Sequence, residues 1–193
     1  MVGLIACTPS VEQDAVRQQK TYQDWLSEGG NTLLVSEYQG FLNQNGSVQV
    51  LDMHSLLSNQ RDFSKCAAPQ WMVPPKTQWK NIIPALKVID VLQKKQLILS
   101  SDVVTSSYRD ASLNQCAGGS SASKHLTNHA LDVQLRGADA ALRYNALCAF
   151  WSQYGADLKF GLGFYGENQI HIDGAGWRTW GADYTRKSSP CRR

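Results

Sequence analysis

Several signatures of familiar protein classes are missing from this chain. No Cys-x-x-Cys pair occurs among its five cysteines, which argues against a structural zinc finger or a thioredoxin-type site. The helical metalloprotease motif His-Glu-x-x-His is absent. Basic residues are scattered in nothing longer than a doublet, and the net charge is only +3. No basic stripe marks a nucleic-acid partner. No apolar run is long enough to span a membrane. Repeats and low-complexity segments are lacking as well. Charged residues make up only 18% and hydrophobic ones an ordinary 42%, so disorder is excluded except at the ends.

What remains is a length of 193 residues, enough for one domain with a substantial core. Residues 8–30 are polar and predict a peripheral helix with Ala15, Tyr22 and Leu26 on one stripe. The apolar runs Thr32–Leu42 and Ser47–Leu51 flank Asn45-Gly46, which is a hairpin signal. Residues 60–77, with Pro69, Pro74 and Pro75, predict a long irregular connection. Trp79–Lys95 has helical periodicity, with Pro84 tolerated in the first turns. Leu97–Ser107 predicts a buried strand, and 110–124 a loop with one short helix. Ala130–Leu135 alternates: Leu131, Val133 and Leu135 fall on one side, Asp132 and Gln134 on the other. Ala138–Tyr154 predicts a helix that packs through Leu142, Leu147, Phe150 and Trp151. Lys159–Tyr165 and Gln169–Asp173 predict two short strands joined by a tight Gly166-Glu-Asn168 turn. This order predicts an α+β fold, a small antiparallel sheet flanked by helices. The expected divisions are an N-terminal segment (1–30), an extension packed on the core (31–77) and the core itself (78–193).

Of the four histidines, two join a pattern. Ser123-Lys-His-Leu-Thr-Asn-His-Ala-Leu-Asp132, taken with His171-Ile-Asp173, offers two imidazoles and a carboxylate that can meet around one metal ion. Such a set leaves a tetrahedral zinc one open position, as in hydrolytic rather than structural sites. Asp132 points away from the apolar face of its strand, as a ligand should. His54 and His129 are expected to be ordinary histidines, with His129 close enough to the ligand segment to support a ligand by hydrogen bonding.

The surrounding residues carry a resemblance. Ser107-Tyr108-Arg109, Asn114, Gly118-Gly119, Ser123, His125, Ala130, Asp132, His171 and Asp173 follow one another in the order seen in the peptidase M15 family. That family contains zinc D-Ala-D-Ala carboxypeptidases and murein endopeptidases. The similarity spans roughly residues 78–181. It implies a Zn²⁺ held by His125, Asp132 and His171. It also implies that Arg109 lies by the active site, holding a carboxylate or polarising a carbonyl oxygen, and that Ser123 contacts substrate. Asp173 would hydrogen-bond a ligand imidazole or stabilise the turn, and Tyr108 would pack. Trp177 and Trp180 are expected to close the core. Two positions depart from the family. Asn128 stands where the family has Gly, and Asn tolerates positive φ better than most residues. Asn168 stands where many members place an acidic general base, and Asn cannot take up a proton. Glu167, one position earlier, is then the expected base, provided the turn rotates it toward the site. The implied activity is hydrolysis of murein stem peptides at a bond next to a D-amino acid, by carboxypeptidase or endopeptidase action. The alternatives are a non-catalytic, zinc-containing murein-binding protein and a different zinc amidase on the same scaffold.

Leu4-Ile-Ala-Cys7 has the form of a bacterial lipoprotein signal. The apolar stretch before it is shorter than the roughly 7–15 residues of an h-region. The expectation is a periplasmic or cell-envelope protein whose only membrane contact is a lipid anchor at Cys7. Cys66, Cys116, Cys148 and Cys191 then remain, and they predict two disulfides in an oxidising compartment, the pairing left open.

Overall fold

The computed structural model describes residues 21–46 and 50–192; Cys7, most of the predicted helix at 8–30 and part of the 47–51 run lie outside them. Six α-helices occur among these residues: α1 (Tyr22–Leu26), α2 (Asn31–Gln44), α3 (Met53–Leu56), α4 (Ile83–Lys94), α5 (Ala111–Cys116) and α6 (Ala140–Tyr154). Five strands, β1 (Val103–Ser106), β2 (Ala130–Gln134), β3 (Gly161–Phe164), β4 (Gln169–Asp173) and β5 (Arg178–Trp180), form one sheet in the order β1-β2-β4-β3-β5. The α+β expectation holds. The sheet is antiparallel except at its edge, where β5, not anticipated from the sequence, runs parallel to β3.

Alternation in β2 sets the two faces of the sheet. Leu131 pairs with Ile172, and Val133 with Ile170, while Ile172 and Ile170 pair in turn with Leu162 and Phe164. All six are buried, in one core with Leu86, Ile89 and Leu92 of α4. Burial of each such side chain contributes about 1.5–3 kcal/mol. The opposite face carries a different row. Ser106, Asp132, His171, Gly163 and Trp180 lie side by side across all five strands.

Four local expectations are corrected. Asn31–Gln44 is a helix rather than half of a hairpin. Val35, Tyr38 and Leu42 are its buried stripe, at helical spacing. Asn45-Gly46 is its C-terminal stop: Asn45 is the cap and Gly46 has φ +70°. The left-handed tolerance that suits a hairpin turn also suits a helix end. Leu97–Asp102 is not strand but a turn built on Asp102. Its carboxylate accepts from the Leu99 and Arg136 amides and pairs with Arg143 at 2.6 Å. Residues Lys76–Ile82 form a 3₁₀ turn leading into α4, with Pro84 at its start. On α6, Leu147, Phe150 and Trp151 pack as expected, but Leu142 is 73% exposed.

Cys66 is bonded to Cys116, and Cys148 to Cys191. The first bridge ties the irregular segment after α3 to the end of α5. The second ties α6 to the C-terminal segment.

Candidate active site

The site grows from the polar face of the sheet. Asp132 and His171 are paired residues on β2 and β4, and His171 Nδ1 lies 2.9 Å from Asp132 Oδ1. His125 arrives from a short 3₁₀ turn, Lys124–Thr127, that immediately precedes β2. Ser123 caps this turn, its hydroxyl accepting from the His125 amide at 3.3 Å. Asn128 ends it with φ +55°, the left-handed conformation for which the family's Gly would otherwise serve. Its side-chain amide donates to Tyr38 Oη and to the Gln78 carbonyl. His125 Nε2 thus reaches 3.2 Å from both Asp132 Oδ1 and His171 Nδ1.

The far nitrogen of each imidazole fixes its tautomer. His125 Nδ1 is 2.6 Å from the Ser107 carbonyl, which can only accept, so Nδ1 carries the hydrogen. His171 Nε2 is 3.2 Å from Asp173 Oδ2, and a carboxylate likewise accepts. Two imidazole lone pairs and a carboxylate oxygen therefore converge, all within 4.8 Å of one another. All three residues are buried. Burial pushes His125 down to about 4, leaving it neutral. Burial also opposes charge on His171, but its bonds to Asp132 and Asp173 outweigh that and hold it above its ordinary value. Burial would raise Asp132, yet the flanking His125 and His171 keep it well below the usual carboxylate range. Three acceptor atoms with donors only behind them suit a divalent cation. The geometry brings together the three residues expected from the sequence, in a group that could hold a metal ion.

The other oxygen of Asp132 faces two guanidiniums. Arg109 Nη2 is 2.8 Å from Oδ2 and Arg61 Nη1 is 3.2 Å from it. Arg109 is 4% exposed, and its Nε donates to Ser106 Oγ at 2.6 Å. Ser106 in turn donates to Asn59 Oδ1, which also accepts from the Ser107 amide. Two of the three Arg109 nitrogens are thus committed to positioning Asp132, although the residue still borders the cleft. Arg61 and Asn59 were missed by sequence reasoning. They lie in an aperiodic segment, and only their contacts reveal them.

A cleft of about 530 Å³ opens over the triad. Ser123, expected to contact substrate, is in its wall, as are Tyr165 and Trp180. The Trp180 ring lies 5.2 Å from His171 and over Gly163, where an added Cβ would sit 2.6 Å from the indole. Trp180 therefore forms cleft wall rather than closing the core. Trp177 is 54% exposed and stacks on Trp151. Tyr108 and His129 are not among the lining residues; His129 bonds Thr127 Oγ1 at 2.9 Å.

Asp173 hydrogen-bonds His171, as the resemblance implied, and is held by Arg178 at 2.6 Å. It rests on Gly161, where an added Cβ would come within 2.4 Å of its carboxylate. Gly161→Ala must displace Asp173 and free the His171 ring. Loss of such a supporting contact typically weakens metal binding about 10–100-fold. That loss is the expected outcome, measured by competition with a zinc chelator.

Glu167 is not brought to the triad. Gly166-Glu-Asn-Gln169 is a tight turn closed by the Gln169 amide on the Gly166 carbonyl at 2.8 Å. Glu167 and Asn168 have φ +47° and +61°, the type I′ pattern of two-residue hairpins. This turn leaves Glu167 exposed at the hairpin tip and outside the cleft wall. Among the described residues, Asp132 is the only acidic side chain in that wall. A general base contributes about 10²–10⁴-fold. Glu167→Gln is instead expected to keep hydrolysis within a small factor of wild type, measured as the rate of peptide-bond cleavage by mass spectrometry.

A family model described as Peptidase M15 matches residues 54–173. The match begins at the start of α3, so it takes in Asn59 and Arg61 along with the motif residues. Comparison with curated proteins and with solved structures returned no match. The match covers more than half of the chain, from the segment that pins Arg109 to the strand bearing His171, and on that ground the chain belongs to the peptidase M15 family and is a metallopeptidase.

Proposed function

We propose that this chain is a zinc-dependent peptidase of the cell envelope that hydrolyses murein stem peptides at a bond next to a D-amino acid. One observation carries the reading: the triad opens into a cleft whose wall holds Arg61, Arg109, Lys124, Arg178 and Arg186 against, among the described residues, a single acid, Asp132. A metal site ringed by cations suits a short peptide rich in carboxylates, such as a murein stem, better than a neutral or basic one.

In this reading His125 Nε2, His171 Nδ1 and Asp132 Oδ1 hold the zinc. Zinc supplies Lewis acidity at such a site, toward water and toward a carbonyl oxygen. The remaining roles belong to the chain. The Ser107 carbonyl and Asp173 keep the two imidazoles in the ligating tautomer. Arg109 holds Asp132 in place and neutralises its outer oxygen, so that the carboxylate stays ionised in a buried position. Ser123 and Trp180 shape the walls against which the peptide lies. The two disulfides and the Leu4-Ile-Ala-Cys7 segment support an oxidising, envelope location with a lipid anchor.

The test is digestion of purified murein by the zinc-loaded protein, with products identified by mass. Release of D-Ala from stem termini is the carboxypeptidase outcome, and opened crosslinks are the endopeptidase outcome. Intact murein with the protein retained on it would replace this reading with that of a murein-binding protein. The lone acid in the cleft wall is the observation that keeps the latter in view.

A further inference from the structure

We propose that Arg61 is a catalytic residue, donating to the scissile carbonyl oxygen of the substrate as that oxygen becomes negative; the proposal rests on the peptidase reading above. Of the five basic side chains in the cleft wall, only Arg61 and Arg109 touch Asp132 among the described residues. They are not equivalent. Arg109 is buried and its Nε is spent on Ser106. The Arg61 side chain is 31% exposed and opens into the cleft.

Arg61 is also held ready. Its backbone amide donates to the Thr105 carbonyl at 3.1 Å, which docks the residue on β1. Its Nε donates to Asp62 Oδ2 at 2.9 Å. Nη1 is within ion-pair distance of Asp132, and Nη2 has no hydrogen-bond partner among the described residues. The guanidinium plane is thereby fixed on one edge and free on the other. A preoriented donor of this kind needs no reorganisation when charge appears beside it.

Charge counting points the same way. Asp132 brings one negative charge to the triad, and both imidazoles are neutral when they ligate a metal. Arg109 alone balances that carboxylate. Asp62 balances Arg61 and Arg178 balances Asp173, so a divalent cation would leave its own charge uncompensated, and what such a site lacks is an anionic oxygen. Hydrolysis makes one. The water oxygen bonds to the carbonyl carbon, and the carbonyl π pair moves onto oxygen, where Arg61 donates. The oxygen's pair then re-forms the carbonyl as the C–N bond breaks, the bonding pair leaves on nitrogen, and the departing amine takes the proton that the water gave up.

Zinc-loaded wild type, Arg61→Ala and Arg61→Lys are compared on murein peptides. Binding of a phosphinate dipeptide, whose tetrahedral anion resembles the developing oxyanion, is followed by calorimetry. Removal of one such donor typically costs about 10²–10³-fold in kcat. Arg61→Ala is expected to lose this much in kcat with KM little changed and with wild-type zinc content and melting temperature. Arg61→Lys should recover part of the loss, and phosphinate affinity should fall in parallel. Unchanged kcat, a change in KM alone, or loss of zinc in Arg61→Ala would each overturn the proposal. The two readings fail separately. Wild type that leaves murein intact but binds phosphinate through Arg61 removes the substrate assignment and keeps the residue's role. Equal phosphinate binding by wild type and Arg61→Ala removes the role, whatever murein shows.

Discussion

His171→Ala is expected to lose bound zinc and hydrolysis together. Wild type should carry one zinc per chain when purified without added metal. The variant keeps only His125 Nε2 and Asp132 Oδ1 from the converging set, and two donors do not make a closed site for this ion. Losing a group that merely supports a ligand already weakens binding about 10–100-fold, so losing the ligand itself should exceed that. His125→Ala should behave alike, because its Nε2 meets the same two partners. His54→Ala and His129→Ala serve as controls, since His54 packs on Tyr22 and Trp71 and neither residue lines the cleft. Elemental analysis and murein digestion, run on the same preparations, check the result. Full zinc in both His125→Ala and His171→Ala would mean that the metal sits elsewhere.

Reduction of the two disulfides is expected to cost most of the net stability. Cys66–Cys116 and Cys148–Cys191 close loops of 50 and 43 residues. In the chain-entropy description, a loop of that size contributes about 4 kcal/mol. Two of them approach the roughly 5–15 kcal/mol by which a domain of this kind is stable. The bridges differ in what else they do. Cys116 ends α5 and is followed directly by Ala117 and Gly119 of the cleft wall, while Cys66 lies five residues beyond Arg61. Cys66→Ser should therefore impair hydrolysis beyond its effect on stability. Cys148→Ser frees Cys191, five residues beyond Arg186 of the same wall, and should chiefly lower the unfolding midpoint with a smaller loss of hydrolysis, since only Arg61 and Arg109 of the basic wall residues pair with Asp132 among the described residues. Urea unfolding with and without reductant, alongside activity at low temperature, separates the two effects. No free thiol should be titrated among these four cysteines in denatured, unreduced protein.

The parts of the site legible in the sequence are those whose chemistry sits on regular structure. Asp132 could be aimed because Leu131 and Val133 define the buried side of its strand. His125 and Asp132 lie close in sequence, and His171 follows on an equally clear strand. The residues that escaped lie where no period operates. Arg61 and Asn59 come from an irregular stretch, and the partners that tie them to the site are 40 or more residues away. β5 is three residues long, too short for alternation to show. Asn45-Gly46 was misread because a glycine free to take the left-handed conformation, as Gly46 does, closes hairpins and ends helices alike. Glu167 was misplaced for a related reason. Its position beside Asn168 suggested a route to the metal, but the type I′ turn leaves it exposed at the hairpin tip, outside the cleft wall.

The row Ser106–Asp132–His171–Gly163–Trp180 makes catalytic competence a property of strand register. Neighbours of Asp132 and His171 along each strand are apolar and belong to the core. If β4 slid by a single residue against β2, Ile170 or Ile172 would face Asp132, and His171 would be driven among Leu131, Val133 and Leu162. The pairing that buries the isoleucines is the same pairing that gathers the ligands, so one register serves both packing and chemistry.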